Sequence, residues 1–95
     1  MKEYLIETVK LDDLNGIQKI YKFKNGLGAS VVKHNMSYGN KDGLWEIAPW
    51  DEAHNFIGVT MLEWIDDVKG HLNDPEVDRI LRQVKEIVWN IKHLK

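Results

Sequence analysis

Residues 17–34 read IQKIYKFKNGLGASVVKH, two alternating runs separated by a turn. In the first run the aromatic residues Tyr21 and Phe23 share one face and Lys22 and Lys24 the other, which is the two-residue period of a half-buried strand. Asn25-Gly26 follows, and this dipeptide favours the positive φ angles of a tight hairpin turn. Residues 27–34 continue with apolar side chains on one face. The stretch therefore predicts a β-hairpin.

Two further strands are predicted downstream of the hairpin. Leu44 to Ala48 is apolar and follows a loop rich in glycine and asparagine, so it predicts a third strand. Pro49 either ends this strand or marks a sheet edge. Asn55 to Val59 is a candidate fourth strand that would pair with the third. The amino-terminal stretch Lys2 to Leu14 fits a short helix as well as an extra strand, and both alternatives stay open.

From Thr60 the apolar period changes from two to that of a helix. Thr60-Met61-Leu62-Glu63 matches a capping box and predicts a helix that starts at Thr60 and ends at Gly70. Its apolar stripe comprises Met61, Leu62, Ile65 and Val68.

A second helix is predicted to begin at Asp74-Pro75, with the aspartate as N-cap and the proline at the first helical position. Its apolar stripe comprises Val77, Ile80, Leu81, Val84, Ile87, Val88 and Ile91. This is the strongest periodicity in the chain.

These elements predict an α+β two-layer domain. A small antiparallel sheet of three or four strands would have one face covered by carboxy-terminal helices. Ninety-five residues allow one domain. We expect an amino-terminal extension over residues 1–16, a β-meander over 17–59 and helices over 60–95.

Composition argues against several classes of chemistry. The chain has no cysteine, which excludes thiolate nucleophiles and cysteine zinc sites. Its start does not resemble a signal peptide and its apolar runs are short, so we expect a cytoplasmic protein. Asp51, Glu52 and His54 come nearest to a metal cluster, but a solvated turn explains them better. Without a catalytic or cofactor motif, we expect a non-enzymatic protein. The other histidines, His34, His71 and His93, are too far apart in the sequence to form a metal-binding motif.

Three segments carry a family resemblance. YKFKNGLGASVV (residues 21–32), SYG (37–39) and GLWEIA (43–48) are similar to small phage and prophage proteins of Gram-positive bacteria. Residues 66–72, followed by an amphipathic helix, continue the similarity, whereas residues 49–54 depart from it. The resemblance implies a phage-borne or prophage-borne accessory protein and implies no activity.

Charge is segregated along the chain. Residues 42–78 carry ten acids against one lysine, whereas the segments on either side are net basic. An acidic face could bind a basic partner or imitate the phosphate backbone of DNA, although complementing helix dipoles is the simpler explanation. An exposed tryptophan within an acidic rim would suit a protein-binding hot spot. The candidate contact residues are Trp50, Asp51, Glu52, Glu63, Asp66 and Asp67.

Two other surfaces are candidates for binding. Trp89 lies off the apolar stripe of the last helix, so it must be covered by the amino-terminal extension, a second copy or a host partner, and it is a candidate homodimer contact. The alternative function is nucleic-acid binding through hairpin lysines, with Tyr21 and Tyr38 as stacking residues. Those lysines are Lys19, Lys22, Lys24 and Lys33. The primary expectation is a protein that binds a host or phage protein.

Overall fold

The computed structural model describes residues 1–11, 16–33 and 44–88 of the chain. After a 3₁₀ turn at Lys2–Tyr4, its elements are β1 (Leu5–Leu11), β2 (Gly16–Lys22), β3 (Gly28–Lys33), β4 (Trp45–Trp50), α1 (Gly58–Leu62), β5 (Lys69–Leu72) and α2 (Asp74–Lys85). The five strands form one antiparallel sheet in chain order. α2 packs on one face of it. The two-layer α+β prediction is confirmed, with five strands in place of three or four.

The predicted hairpin is present as β2 and β3, with Tyr21 opposite Ala29. The Phe23 N–H donates to the Leu27 carbonyl oxygen at 2.8 Å, and the Gly26 N–H donates to the Phe23 carbonyl oxygen at 3.1 Å. Gly26 has φ +87°, and it is the turn residue with a positive φ. The turn is thus a three-residue loop closed by a left-handed glycine, not a two-residue turn.

The amino-terminal segment forms a strand, which resolves the ambiguity in its sequence. β1 pairs with β2 from Leu5, opposite Tyr21, to Leu11, opposite Gly16, with a bulge between Leu5 and Glu7. The Tyr4 ring packs edge-on against Phe23 with ring centres 5.2 Å apart. Pairing with β2 satisfies backbone groups that a short helix of this length would leave to water.

The hydrophobic core lies between α2 and the facing side of the sheet. Its buried side chains are Tyr21, Phe23, Leu27, Ala29, Val31, Ile47, Ile57, Leu72, Val77, Ile80, Leu81 and Val84. The first half of the predicted helix stripe is therefore correct. The helix ends at Lys85, so Val88 is 98% exposed, contrary to its place in the stripe, and Ile91 lies outside the described residues.

The start of α2 differs by one residue from the prediction. Asn73, not Asp74, is the N-cap: its side-chain oxygen accepts from the Glu76 N–H, and the Glu76 carboxylate accepts from the Asn73 N–H, both at 2.9 Å. A reciprocal capping box needs a carboxylate or amide three residues after the cap. Asn73 has Glu76 there, whereas Asp74 would have the apolar Val77.

The predicted helix from Thr60 to Gly70 is wrong. α1 starts at Gly58 and ends where Glu63 turns left-handed at φ 58°, so Thr60 lies within the helix and not at its cap. The Asp67 carboxylate accepts from the Val59 N–H at 3.1 Å and fixes the chain that returns across α1. Ile65, assigned to the apolar stripe, is 97% exposed. Residues 69–72, including Gly70, instead form β5.

The predicted fourth strand at Asn55 to Val59 is also wrong. Phe56 makes one isolated bridge with Trp50, after which the chain enters α1. The strand beside β4 is instead β5, which pairs with it at Trp45 and Ile47. Pro49 lies beyond those pairs, one residue before the end of β4, so it is at a local edge of the sheet where a missing N–H is tolerated.

Asn25 connects the hairpin turn to the end of α2. Its side-chain Nδ2 donates to the carbonyl oxygens of Val84 at 2.9 Å and of Lys85 and Ile87 at 3.1 Å. Its Oδ1 accepts from the Leu27 N–H at 3.0 Å. The last carbonyl groups of a helix lack partners within the helix, so this turn residue also serves as a C-terminal cap from a distant part of the chain.

Asn25→Asp should lower the free energy of unfolding by about 2–3 kcal/mol, because it replaces the donor with a carboxylate facing three carbonyl oxygens. Urea denaturation monitored by circular dichroism measures this change. Lys24→Ala, at the exposed neighbouring position, is the control and should stay within about 0.5 kcal/mol of the parent. An Asn25→Asp variant as stable as the control would contradict the capping role.

Candidate functional site

The described helices leave one face of the sheet uncovered. Alternation along the strands turns Tyr21, Ala29 and Ile47 toward α2 and their neighbours to the other side. We call this second side the open face. Its residues are Ile6, Glu7, Val9, Leu11, Gln18, Ile20, Lys22, Ser30, Val32, Glu46, Ala48 and Trp50. Each of them is half-buried or exposed, whereas the positions facing the middle of α2 are buried.

The Trp50 side chain has a defined position on the open face. It lies opposite Gly28 of β3. A Cβ atom at Gly28 would overlap the Trp50 ring and the Tyr21 carbonyl oxygen, so the position requires glycine. The His54 ring lies beside the indole at 5.4 Å between ring centres. The absent side chain at Gly28 thus allows the indole to lie against the sheet.

A shallow cavity of about 370 Å³ extends from Trp50 across the open face. Ile6, Ile20, Glu52 and His54 are among its lining residues. Below it, the Gln18 side chain donates to the Ser30 hydroxyl at 2.7 Å, which satisfies the polar groups in the middle of the face. The cavity is therefore apolar over much of its surface, with charged groups at its edge.

The charges at the border of the open face are mainly acidic. Among the described residues on this side of the sheet, Glu7, Glu46 and Glu52 are acidic and Lys22 is basic. We call these three carboxylates the acidic rim. They lie on the same side of the sheet as the apolar side chains of Ile20 and Val32. An apolar centre with a charged border is typical of protein-binding surfaces.

The six predicted contact residues fall into two separate places. Trp50 and Glu52 share the open-face cavity. Glu63 and Asp66 line a different groove of about 350 Å³ beside Trp64. The acidic residues of the sequence thus do not converge on one cavity.

Two of the predicted contact carboxylates shape turns. Asp51 Oδ1 accepts from the N–H groups of Ala53 and Asn55, both at 2.9 Å. Asp67 accepts from Val59, as described above. Aspartate side chains that hold backbone N–H groups in this way stabilise the turn itself, so these two residues position the surfaces beside them.

The four hairpin lysines do not form one patch. The Nζ atoms of Lys19 and Lys33 lie 5.2 and 4.6 Å from the centre of the Trp45 ring, on the α2 side of the sheet. The Trp45 indole N–H in turn donates to the Asp74 carboxylate at 2.8 Å. Lys22 points to the open face, and Lys24 lies in the turn. No local sequence pattern predicts that two lysines converge on a tryptophan, because the three residues come from three strands.

Tyr21, proposed as a stacking residue, is only 8% exposed and belongs to the core. Burial raises the pKa of its phenol above the usual value, and the nearby Asp78 carboxylate raises it further. The other two aromatic candidates, Tyr38 and Trp89, lie outside the described residues.

Within residues 1–11, 16–33 and 44–88, no three histidine, aspartate or glutamate side chains are grouped closely enough to hold a metal ion. Every buried side-chain polar atom in the same ranges has a hydrogen-bond partner. The helices described there are too short or too polar to cross a membrane.

Comparison of the chain with family models, with curated proteins and with solved structures yields no match.

Tyr21→Phe should change how stability depends on pH. Above about pH 10 the phenol ionises in the unfolded chain, while the raised pKa moves its ionisation to higher pH in the folded protein. The parent protein should therefore lose stability as the pH rises through this range, and Tyr21→Phe should lose less. Urea midpoints at pH 8 and at about pH 10.5 measure the difference. Parallel losses in both proteins would contradict it, and Tyr4→Phe is the matched control.

Proposed function

We propose that this chain is a non-enzymatic interaction protein that binds a protein partner through its open face. The observation that carries the proposal is Trp50, seated over Gly28 on a sheet face that the described helices leave uncovered. A one-sided antiparallel sheet ordinarily presents a polar face to water. Here the half-buried Ile20, Val32 and Trp50 interrupt that polarity beside Ile6, which is 60% exposed. Apolar patches on a protein surface mark interaction sites.

The acidic rim indicates the chemistry of the partner. A complementary surface would have an apolar projection that meets Trp50, surrounded by lysine or arginine side chains. Tryptophan is a frequent centre of binding energy at interfaces, and charges at the border mainly increase the association rate. A protein whose basic surface ordinarily contacts DNA is one partner of this class.

The resemblance to phage and prophage proteins supports a bacterial setting. An accessory protein of this kind would act in the host cytoplasm on a host or phage protein.

Trp50→Ala should weaken partner binding by about 2 kcal/mol, which corresponds to roughly a 30-fold increase in Kd. The partner is first recovered from nuclease-treated bacterial lysate with tagged parent protein, then purified and measured by calorimetry. Circular dichroism establishes that the variant is folded. Unchanged affinity in a folded Trp50→Ala variant would contradict the open face as the contact surface.

Charge reversal tests the acidic rim separately. Glu7→Lys with Glu52→Lys should slow association and lower affinity at least about ten-fold at low salt, because both carboxylates would meet basic groups of the partner. Asp66→Lys with Glu86→Lys produces the same change in net charge at exposed positions elsewhere and should leave binding intact.

The outcomes of this comparison separate the alternatives. If only the variant with Asp66→Lys and Glu86→Lys loses binding, the contact surface is the groove at Glu63 and not the open face. Recovery of nucleic acid alone, or loss of every partner after nuclease treatment, would instead support the hairpin lysines, for which the convergence of Lys19 and Lys33 on Trp45 is the one favourable observation.

A further inference from the structure

β1 is a long edge strand with one described neighbour. It pairs with β2 in continuous register from Glu7 to Leu11. Its other edge has no partner among the described strands. Alternate backbone N–H and C=O groups along that edge point away from the sheet and can pair with another strand. β5, at the opposite edge, is shorter and is distorted by a register shift and by His71 at φ 59°.

We infer that β1 pairs antiparallel with β1 of a second copy of this chain. The two sheets would then join into one continuous ten-stranded sheet. The same strand supplies both sides of the junction, so the lengths of the unpaired edges match.

The charges of β1 fit antiparallel pairing with itself. Glu7 and Lys10 are the two charged residues of the strand. With the pairing centred on Thr8 or on Val9, Glu7 lies opposite an apolar residue, and Lys10 lies opposite Ile6 or Thr8. Parallel pairing in register would instead place glutamate beside glutamate and lysine beside lysine, which is unfavourable. The charges of β1 are therefore compatible with antiparallel self-pairing and disfavour in-register parallel self-pairing.

The pairing would also extend the open face. The two-fold axis of an antiparallel strand pair runs perpendicular to the sheet, so both open faces would lie on the same side. With the pairing centred on Val9, the two Val9 side chains would meet across the junction and continue the apolar surface of Ile20. Both copies of α2 would lie on the opposite side and would not obstruct the junction.

The inference goes beyond the proposed function, since partner binding at Trp50 does not require the dimer. Amide hydrogen exchange by NMR tests it on the full chain, at about 1 mM and about 10 μM, which bracket weak dimerisation. Sedimentation velocity over the same range gives the molecular mass. We expect a dimer in which the outward amides between Glu7 and Leu11 are protected, with at least about a ten-fold loss of protection on dilution.

Two proline variants add a second measurement. Successive amides of a strand point in opposite directions, so Thr8→Pro and Val9→Pro remove one inward and one outward N–H. The variant lacking the outward N–H should stay folded and become monomeric. Thr8→Val keeps the N–H group and should still dimerise.

Either of two results would overturn the inference. One is a parent protein that remains monomeric at the higher concentration. The other is a dimer whose outward β1 amides exchange as rapidly as in the monomer, because the copies would then meet at another surface. Neither result bears on partner binding by Trp50, so the failure of this inference and that of the proposed function are distinguishable.

Discussion

The burial of one face of α2 against one face of the sheet is the contact on which the rest of the structure depends. Val77, Ile80, Leu81 and Val84 leave water together with the apolar residues of β2 to β5. Each fully buried side chain of this kind contributes about 1.5–3 kcal/mol, so this layer supplies most of the energy that opposes chain entropy. With a single long helix among the described elements, only one face of the sheet can be covered in this way.

The hairpin turn links the covered face to the open face. Asn25 caps the end of α2, and Gly28, three residues later, allows Trp50 to lie against the opposite side of the sheet. A change at Asn25 would loosen the helix, and a side chain at Gly28 would displace the indole. Residues 25–28 thus determine both the conformation of the turn and its packing against distant parts of the chain.

Charge along the chain does not translate directly into a charged surface. The described acidic residues between positions 44 and 78 are distributed over the open-face border, the groove at Glu63 and Asp66, the turns held by Asp51 and Asp67, and the first turns of α2. Carboxylates that accept hydrogen bonds from backbone N–H groups stabilise turns and helix ends. The acidic rim that remains is smaller than the sequence suggests, and it gains Glu7 from the amino-terminal strand.

Local pattern by itself determined the hairpin, β4 and the buried stripe of α2, because their side-chain periods and the Asn25-Gly26 turn favour one conformation whatever surrounds them. Tertiary structure decided the rest. Residues 5–11 are a strand because β2 offers an edge for them, and residues 69–72 are a strand because β4 does, although KGHL has no strand period. The position of the Trp50 side chain also depends on the pairing of β3 with β4, since Gly28 lies opposite Trp50 only when these two strands are in register. Local sequence specifies backbone preference, whereas partners distant along the chain supply the hydrogen bonds and contacts that choose between alternatives of similar energy.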